Sequence, residues 1–201
     1  MKKLNYLLLS LLIALSFTSC DKDDEGDTTN NTTATEAQLE GTWELVEYVV
    51  NDGKSTFTIA GISQSTSFTH KGFDFDYKVN IRTNPNTSTA EGTYKLETTT
   101  TVNGEKNTQI IPVDSSNVPD SLAENNWELI NNGTQVKSTA DGITSISNVL
   151  EISDTTFKYS TDLSQAVIPG LDSLNDSPIQ IGGFEFKNSG TLFITLRKVT
   201  K

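Results

Sequence analysis

Between residues 73 and 82 the chain changes character at every step. Phe73, Phe75, Tyr77, Val79 and Ile81 are apolar, while Asp74, Asp76, Lys78, Asn80 and Arg82 between them are polar. Successive side chains of a strand point to opposite faces, so a period of two demands extended backbone with one face on a core and the other in water. Residues 93–102 repeat the pattern, with Tyr94, Leu96, Thr98, Thr100 and Val102 on the inward side and Lys95 and Glu97 outward. Leu192, Ile194 and Leu196 do the same near the C-terminus. Shorter runs predict further strands at 42–50, 56–59, 108–113, 127–130, 134–138, 143–152, 156–159 and 179–186. No segment carries a convincing helical period.

Turn chemistry fixes how such strands connect. Asn51-Asp52-Gly53, Asn103-Gly104, Asn131-Asn132-Gly133 and Asp141-Gly142 supply the positive φ angles that tight hairpins require. A succession of hairpins is an up-and-down meander, and closing it removes the unpaired edges that many antiparallel strands would otherwise expose. The expected fold is all-β, an antiparallel up-and-down barrel of about 8–10 strands. An open β-sandwich is the alternative that the same alternation allows.

The N-terminus obeys different rules. Lys2 and Lys3 precede a run from Leu7 to Phe17 that is apolar apart from two serines, and the only cysteine, Cys20, follows Thr18 and Ser19. The run is short of the ~20 apolar residues that a spanning helix needs. A charged stretch, an apolar stretch and small residues before the cut form a secretory signal. With the cysteine placed as it is, the segment resembles the processing site of a bacterial lipoprotein. That resemblance implies a signal peptide over 1–19, cleavage between Ser19 and Cys20, and acylation of Cys20. It also accounts for a lone thiol in an exported chain, which would otherwise be open to oxidation. Lys22, Asp23, Asp24 and Glu25 resemble the export signal behind the acylated cysteine of Bacteroidetes surface lipoproteins, which implies an outer-membrane protein facing the exterior. A calcium loop starting at Asp21 fails because Thr32 stands where its final carboxylate belongs. Residues 20–37 hold no aliphatic side chain larger than alanine and read as a disordered tether with a reach of roughly 25 Å. The folded domain is then 38–201, a single domain by length.

One local repeat adds a family resemblance. Glu40-Gly41-Thr42-Trp43-Glu44-Leu45 is echoed by Glu91-Gly92-Thr93-Tyr94-Lys95-Leu96. The first copy, at the head of the folded region, resembles the Gly-x-Trp motif of the lipocalin and calycin superfamily, and the chain is most similar to the lipocalin-like domains of Bacteroidetes surface lipoproteins. The resemblance implies that Arg197 on the last strand packs across Trp43 and latches the barrel shut, a contact of about 0.5–2 kcal/mol. If the strands close, Phe73, Phe75, Tyr77, Tyr94 and Trp127 line a cup for a small apolar or amphipathic ligand. The stretches 103–126 and 162–177 exceed a minimal barrel and are candidate lids.

Little else in the chain carries chemistry. His70 is the only histidine, expected in an exposed turn, and with no second imidazole and no cysteine near it no zinc site is expected. Asp74 and Asp76 share their face with Lys78 and Arg82, the mark of a solvated charge stripe. No nucleophile elbow and no cofactor motif is present. Removing Lys2 and Lys3 from the 15 basic residues leaves 13 against 26 acidic ones, a charge of −13 that disfavours nucleic acid. The chain is therefore expected to be non-enzymatic and cofactor-free, tied to a membrane through its lipid. A small-ligand carrier is the first expectation, and a ligand-free, packed accessory subunit of a cell-surface complex is the second. Replacing Cys20 by serine should abolish metabolic labelling with radioactive palmitate and move the protein from the membrane to the soluble fraction.

Overall fold

The computed structural model describes residues 32–115, 124–140, 143–164 and 184–200. The leader 1–19, Cys20, the run Lys22, Asp23, Asp24 and Glu25, the parts 116–123 and 165–177 of the two long inserts, and the start of the strand expected at 179 lie outside the described residues.

Ordered packing begins earlier than the expected boundary at 38. Thr35 and Gln38 form a capping box, each side chain satisfying the other's backbone N–H, and this fixes one helical turn, α1 (Glu36–Leu39). Ala34 is buried, and its N–H donates to the Gly133 carbonyl at 2.8 Å. The last residues of the predicted tether thus belong to the folded domain.

Ten antiparallel strands follow: β1 (Gly41–Ile59), β2 (Ile62–Arg82), β3 (Thr87–Val102), β4 (Glu105–Asp114), β5 (Glu124–Ile130), β6 (Gln135–Ala140), β7 (Ile143–Ile152), β8 (Thr156–Asp162), β9 (Phe184–Ser189) and β10 (Thr191–Lys198). The order β10-β8-β7-β6-β5-β3-β2-β1 is closed by pairing of β10 with β1, so eight strands make a ring. It is not a regular barrel. β4 and β5 lie end to end along β3, and β9 and β10 lie end to end along β1. Past the ring, the order β9-β1-β2-β3-β4 continues as a five-stranded extension, with no further strand pairing at β4 or β9 among the described residues.

Register shifts decide which side chains face inward. β1 slips between Leu45 and Glu47 and between Val50 and Gly53, β2 between Phe73 and Asp76, and β7 between Val149 and Glu151. Each extra residue reverses the parity that strict alternation assumes. Phe68, His70 and Gly72 are inward before the β2 slip, and Tyr77, Val79 and Ile81 after it. Phe73 therefore sits on the outer face, opposite Lys95, whose ammonium lies 5.8 Å from its ring centre. This corrects its expected place in the cup. Asp74, at the slip with φ of 52°, pairs with the same lysine at 2.9 Å. Gly92 supports the irregularity from the neighbouring strand. Its φ is 106°, and a Cβ there would fall on the Asp76 carbonyl oxygen.

His70 also departs from expectation. β2 starts at Ile62, eleven residues before the obvious alternation, so the histidine lies within a strand and is 3 % exposed instead of occupying an exposed turn.

Trp43 plugs one end of the ring. It is fully buried, its indole N–H donates to the Leu39 carbonyl at 2.8 Å, and Phe157 meets it edge-on at 6.0 Å. The cation above it is Lys198, its register partner, with Nζ 4.9 Å from the ring centre and 3.1 Å from the Gln38 carbonyl. Arg197 is not the latch. One residue earlier in an alternating strand, it faces outward and donates to Glu44 at 3.1 Å. Trp43→Ala should lower the unfolding free energy by about 3–5 kcal/mol in urea melts, whereas Arg197→Ala should cost less than about 1 kcal/mol.

Candidate functional site

The ring wall encloses space. Two adjoining cavities of about 240 and 230 Å³ lie inside it. Each has room for roughly eight waters. They share Val79, Ser88, Asn125, Ser138, Tyr159, Leu192, Ile194 and Leu196 as lining, so they are two lobes of one interior.

One end is sealed. Leu39 is 1 % exposed and stacks its turn of helix under the ring, beside Trp43. Two polar ties hold that turn in place: Ala34 to Gly133, and the Asn86 amide donating to the Glu36 carboxylate at 2.8 Å. Among the described residues the first lobe reaches the surface at the start of β7, where Ile143 lines it and is 40 % exposed.

The first lobe lies against Trp127, Phe157 and Tyr159, and the second against Tyr48, Tyr77 and Tyr94. These rings brace one another. Tyr77 meets Tyr94 edge-on at 5.2 Å, and Phe157 and Tyr159 are 5.0 Å apart. Trp127 is anchored by its indole N–H, which donates to the Thr87 carbonyl at 3.1 Å. Burial raises the phenol pKa values of Tyr77 and Tyr159 above the ordinary tyrosine value, and the neighbouring Tyr77 adds to the effect on Tyr159. Both hydroxyls stay neutral.

Of the ligand-facing residues expected from sequence, Tyr77, Tyr94 and Trp127 line the interior. Phe75 packs against Tyr94 at 6.1 Å and under Gly72, contributing to the wall without lining either lobe. Phe73 is outside. What pattern reading missed is the polar lining: Ser88, Asn125, Ser138, Ser145, Ser147 and Thr161. A signal for it was present, because Val136, Ser138 and Ala140 share one face of β6 and Ile143, Ser145, Ser147 and Val149 one face of β7. Serines on the inward face of a strand are what a hollow interior, unlike a packed one, can accept.

Among the described residues no carboxylate, lysine, arginine or histidine lines either lobe. Ion pairs such as Lys95–Asp74, Lys137–Glu128 at 2.6 Å and Lys158–Glu47 at 3.5 Å have partly exposed side chains at both partners. Among the described residues no three His, Cys, Asp or Glu side chains gather as a metal site. His70, beside the ring of Phe68 at 4.8 Å, shares a hydrogen bond of 2.8 Å with the Thr98 hydroxyl through Nδ1, and its Nε2 is buried without a partner.

Set against family models, curated proteins and solved structures, the chain matches none of them.

The buried imidazole makes stability depend on pH. Burial lowers its pKa from 6.5 to about 4, so between those values the unfolded chain takes up a proton that the folded chain refuses. Stability is whole above pH 6.5 and is lost progressively as pH falls towards 4, by on the order of 3 kcal/mol. Urea melts from pH 7 to 4 should show that loss in the native protein beyond whatever His70→Gln retains from other groups.

Proposed function

We propose that this protein is a lipid-anchored, outward-facing outer-membrane lipoprotein whose ring-closed β domain is lipocalin-like and holds a small apolar or amphipathic ligand. One observation carries the reading: among the described residues the ring surrounds two adjoining cavities, with buried Trp43 and Leu39 at one end and the partly exposed Ile143 at the other. Interiors normally pack as densely as organic crystals, and two adjoining voids of this size inside one ring are a feature of proteins that fill them with something else. Aromatic walls with a few polar groups are the usual anatomy of such a site. The leader and Cys20 support a location at a membrane surface, where apolar molecules are to hand.

The cavities weigh against a packed, ligand-free barrel. An interaction role keeps a separate support in the five-stranded extension, whose β4 and β9 have no second strand partner among the described residues and whose Ile62 is 77 % exposed.

Native mass spectrometry of the mature chain, purified gently from its own host, tests the binding reading. A stoichiometric small molecule should accompany the protein. Ser138→Phe, which puts a ring between the two lobes, should remove it without lowering the melting temperature by more than a few degrees. A clean apo mass for the native chain would overturn binding and leave the extension as the functional surface.

A further inference from the structure

The interior's two sides differ in chemistry. Around the ring, β3, β5, β6, β7 and β8 form one arc, and β10, β1 and β2 form the other. Among aromatic and apolar side chains such as Trp127, Phe157 and Tyr159, the first arc presents three cross-strand polar pairs to the cavity: Ser88 with Asn125, Ser138 with Ser145, and Ser147 with Thr161. The second presents no such pair: Leu192, Ile194 and Leu196 from β10 lie beside Leu45 and Val79, with the phenol rings of Tyr48 and Tyr77. Only one of the polar pairs is satisfied internally, Ser147 and Thr161 sharing a bond of 2.7 Å. The side chains of Ser88, Asn125, Ser138 and Ser145 make no hydrogen bond among the described residues, so their capacity is turned towards the cavity.

Building on the binding reading, we infer that the occupant is uncharged and two-sided: an aliphatic chain or ring against β10, β1 and β2, and hydroxyl, ester or amide groups against the serines of β3 and β5–β8. Neutral amphipaths such as monoacylglycerols have this chemistry, whereas fatty-acid anions and cationic amphipaths do not. An ion entering this space would lose its hydration and find no counter-charge among the described residues, none of whose charged side chains lines either lobe. The upward shift that burial gives the phenol pKa values of Tyr77 and Tyr159 is the same physics acting on the protein's own groups. Hydroxyl and ester groups, by contrast, recover from the serines the hydrogen bonds they give up in water.

Three amphipaths of one chain length, monooctanoylglycerol, octanoate and octyltrimethylammonium, separate the cases, with neutral phenylnaphthylamine as an apolar dye. The protein is the mature chain carrying Cys20→Ser, stripped of any resident ligand, which keeps every described residue and needs no detergent. Titration calorimetry at pH 7.4 should show monooctanoylglycerol binding about 100-fold tighter than either ion. In the double variant Ser138→Ala, Ser145→Ala its affinity should fall about tenfold while the dye binds as before. Octanoate or the ammonium binding as tightly as the glyceride would overturn the inference and leave the binding function standing. An unchanged glyceride affinity in the double variant would overturn the role of the polar arc. Failure of all four probes, dye included, would overturn both the inference and the binding function beneath it.

Discussion

Everything inside this protein depends on the pairing of β10 with β1. That ladder joins Trp43 to Lys198, Leu45 to Leu196, Tyr48 to Ile194 and Val50 to Leu192. It is what turns a twisted sheet into a ring with an interior. Without it the inward side chains of both strands would face water, and neither cavity would have a wall on that side. The two ends of the folded chain meet in the same ladder. α1 is held against it from below by the Trp43–Leu39 and Lys198–Gln38 hydrogen bonds, so closing the ring and sealing its floor are one event.

Irregularity in the strands is what makes the ring usable. Strict alternation over strands of 19 and 21 residues would carry one face straight out into solvent. The slips in β1 and β2 instead let each long strand change curvature between ring and extension while keeping apolar or small residues inside. The outer face then collects the charges, Glu44 with Arg197 and Asp74 with Lys95 among them. Among the described residues no charged side chain lines the interior. That segregation is a statement about solvation: the charges of these pairs stay where water can reach them.

Much of the architecture could be read from the residues because β-structure writes its faces into the sequence. All ten strands coincide in part with expected runs, because alternation is a local signal, but Asn51-Asp52-Gly53, expected as a hairpin turn, lies inside β1 at one of its slips, where paired neighbours override the turn chemistry. Thr35 to Gln38 was also a readable helix start, hidden by the polar composition around it. The slips were harder. In β1, Glu44 and Glu47 are three residues apart and both partly exposed, a break in parity that a strict period of two conceals. In β2 the exposed Lys71 and Asp76 stand five residues apart and mark the same break, yet Phe73 looked the equal of Phe75 and Tyr77 although it stands on the other side of the slip. Arg197 and Lys198 are adjacent cations, and only the register with β1 decides which of them meets Trp43.

The sequence by itself determined the class of fold, the antiparallel connectivity and the identity of Trp43 as a core residue, because period, turn type and a large apolar side chain act over a few neighbouring residues. Tertiary structure alone decided that the ring closes around empty space, that Lys198 caps the tryptophan, that His70 is buried, and that six polar side chains share an interior with three aliphatic ones from β10. Those outcomes depend on register between strands as distant as β1 and β10, which Glu44 and Arg197 show to lie 153 residues apart in the chain. A shift of one residue anywhere along that path exchanges inside for outside, and no local pattern carries that information.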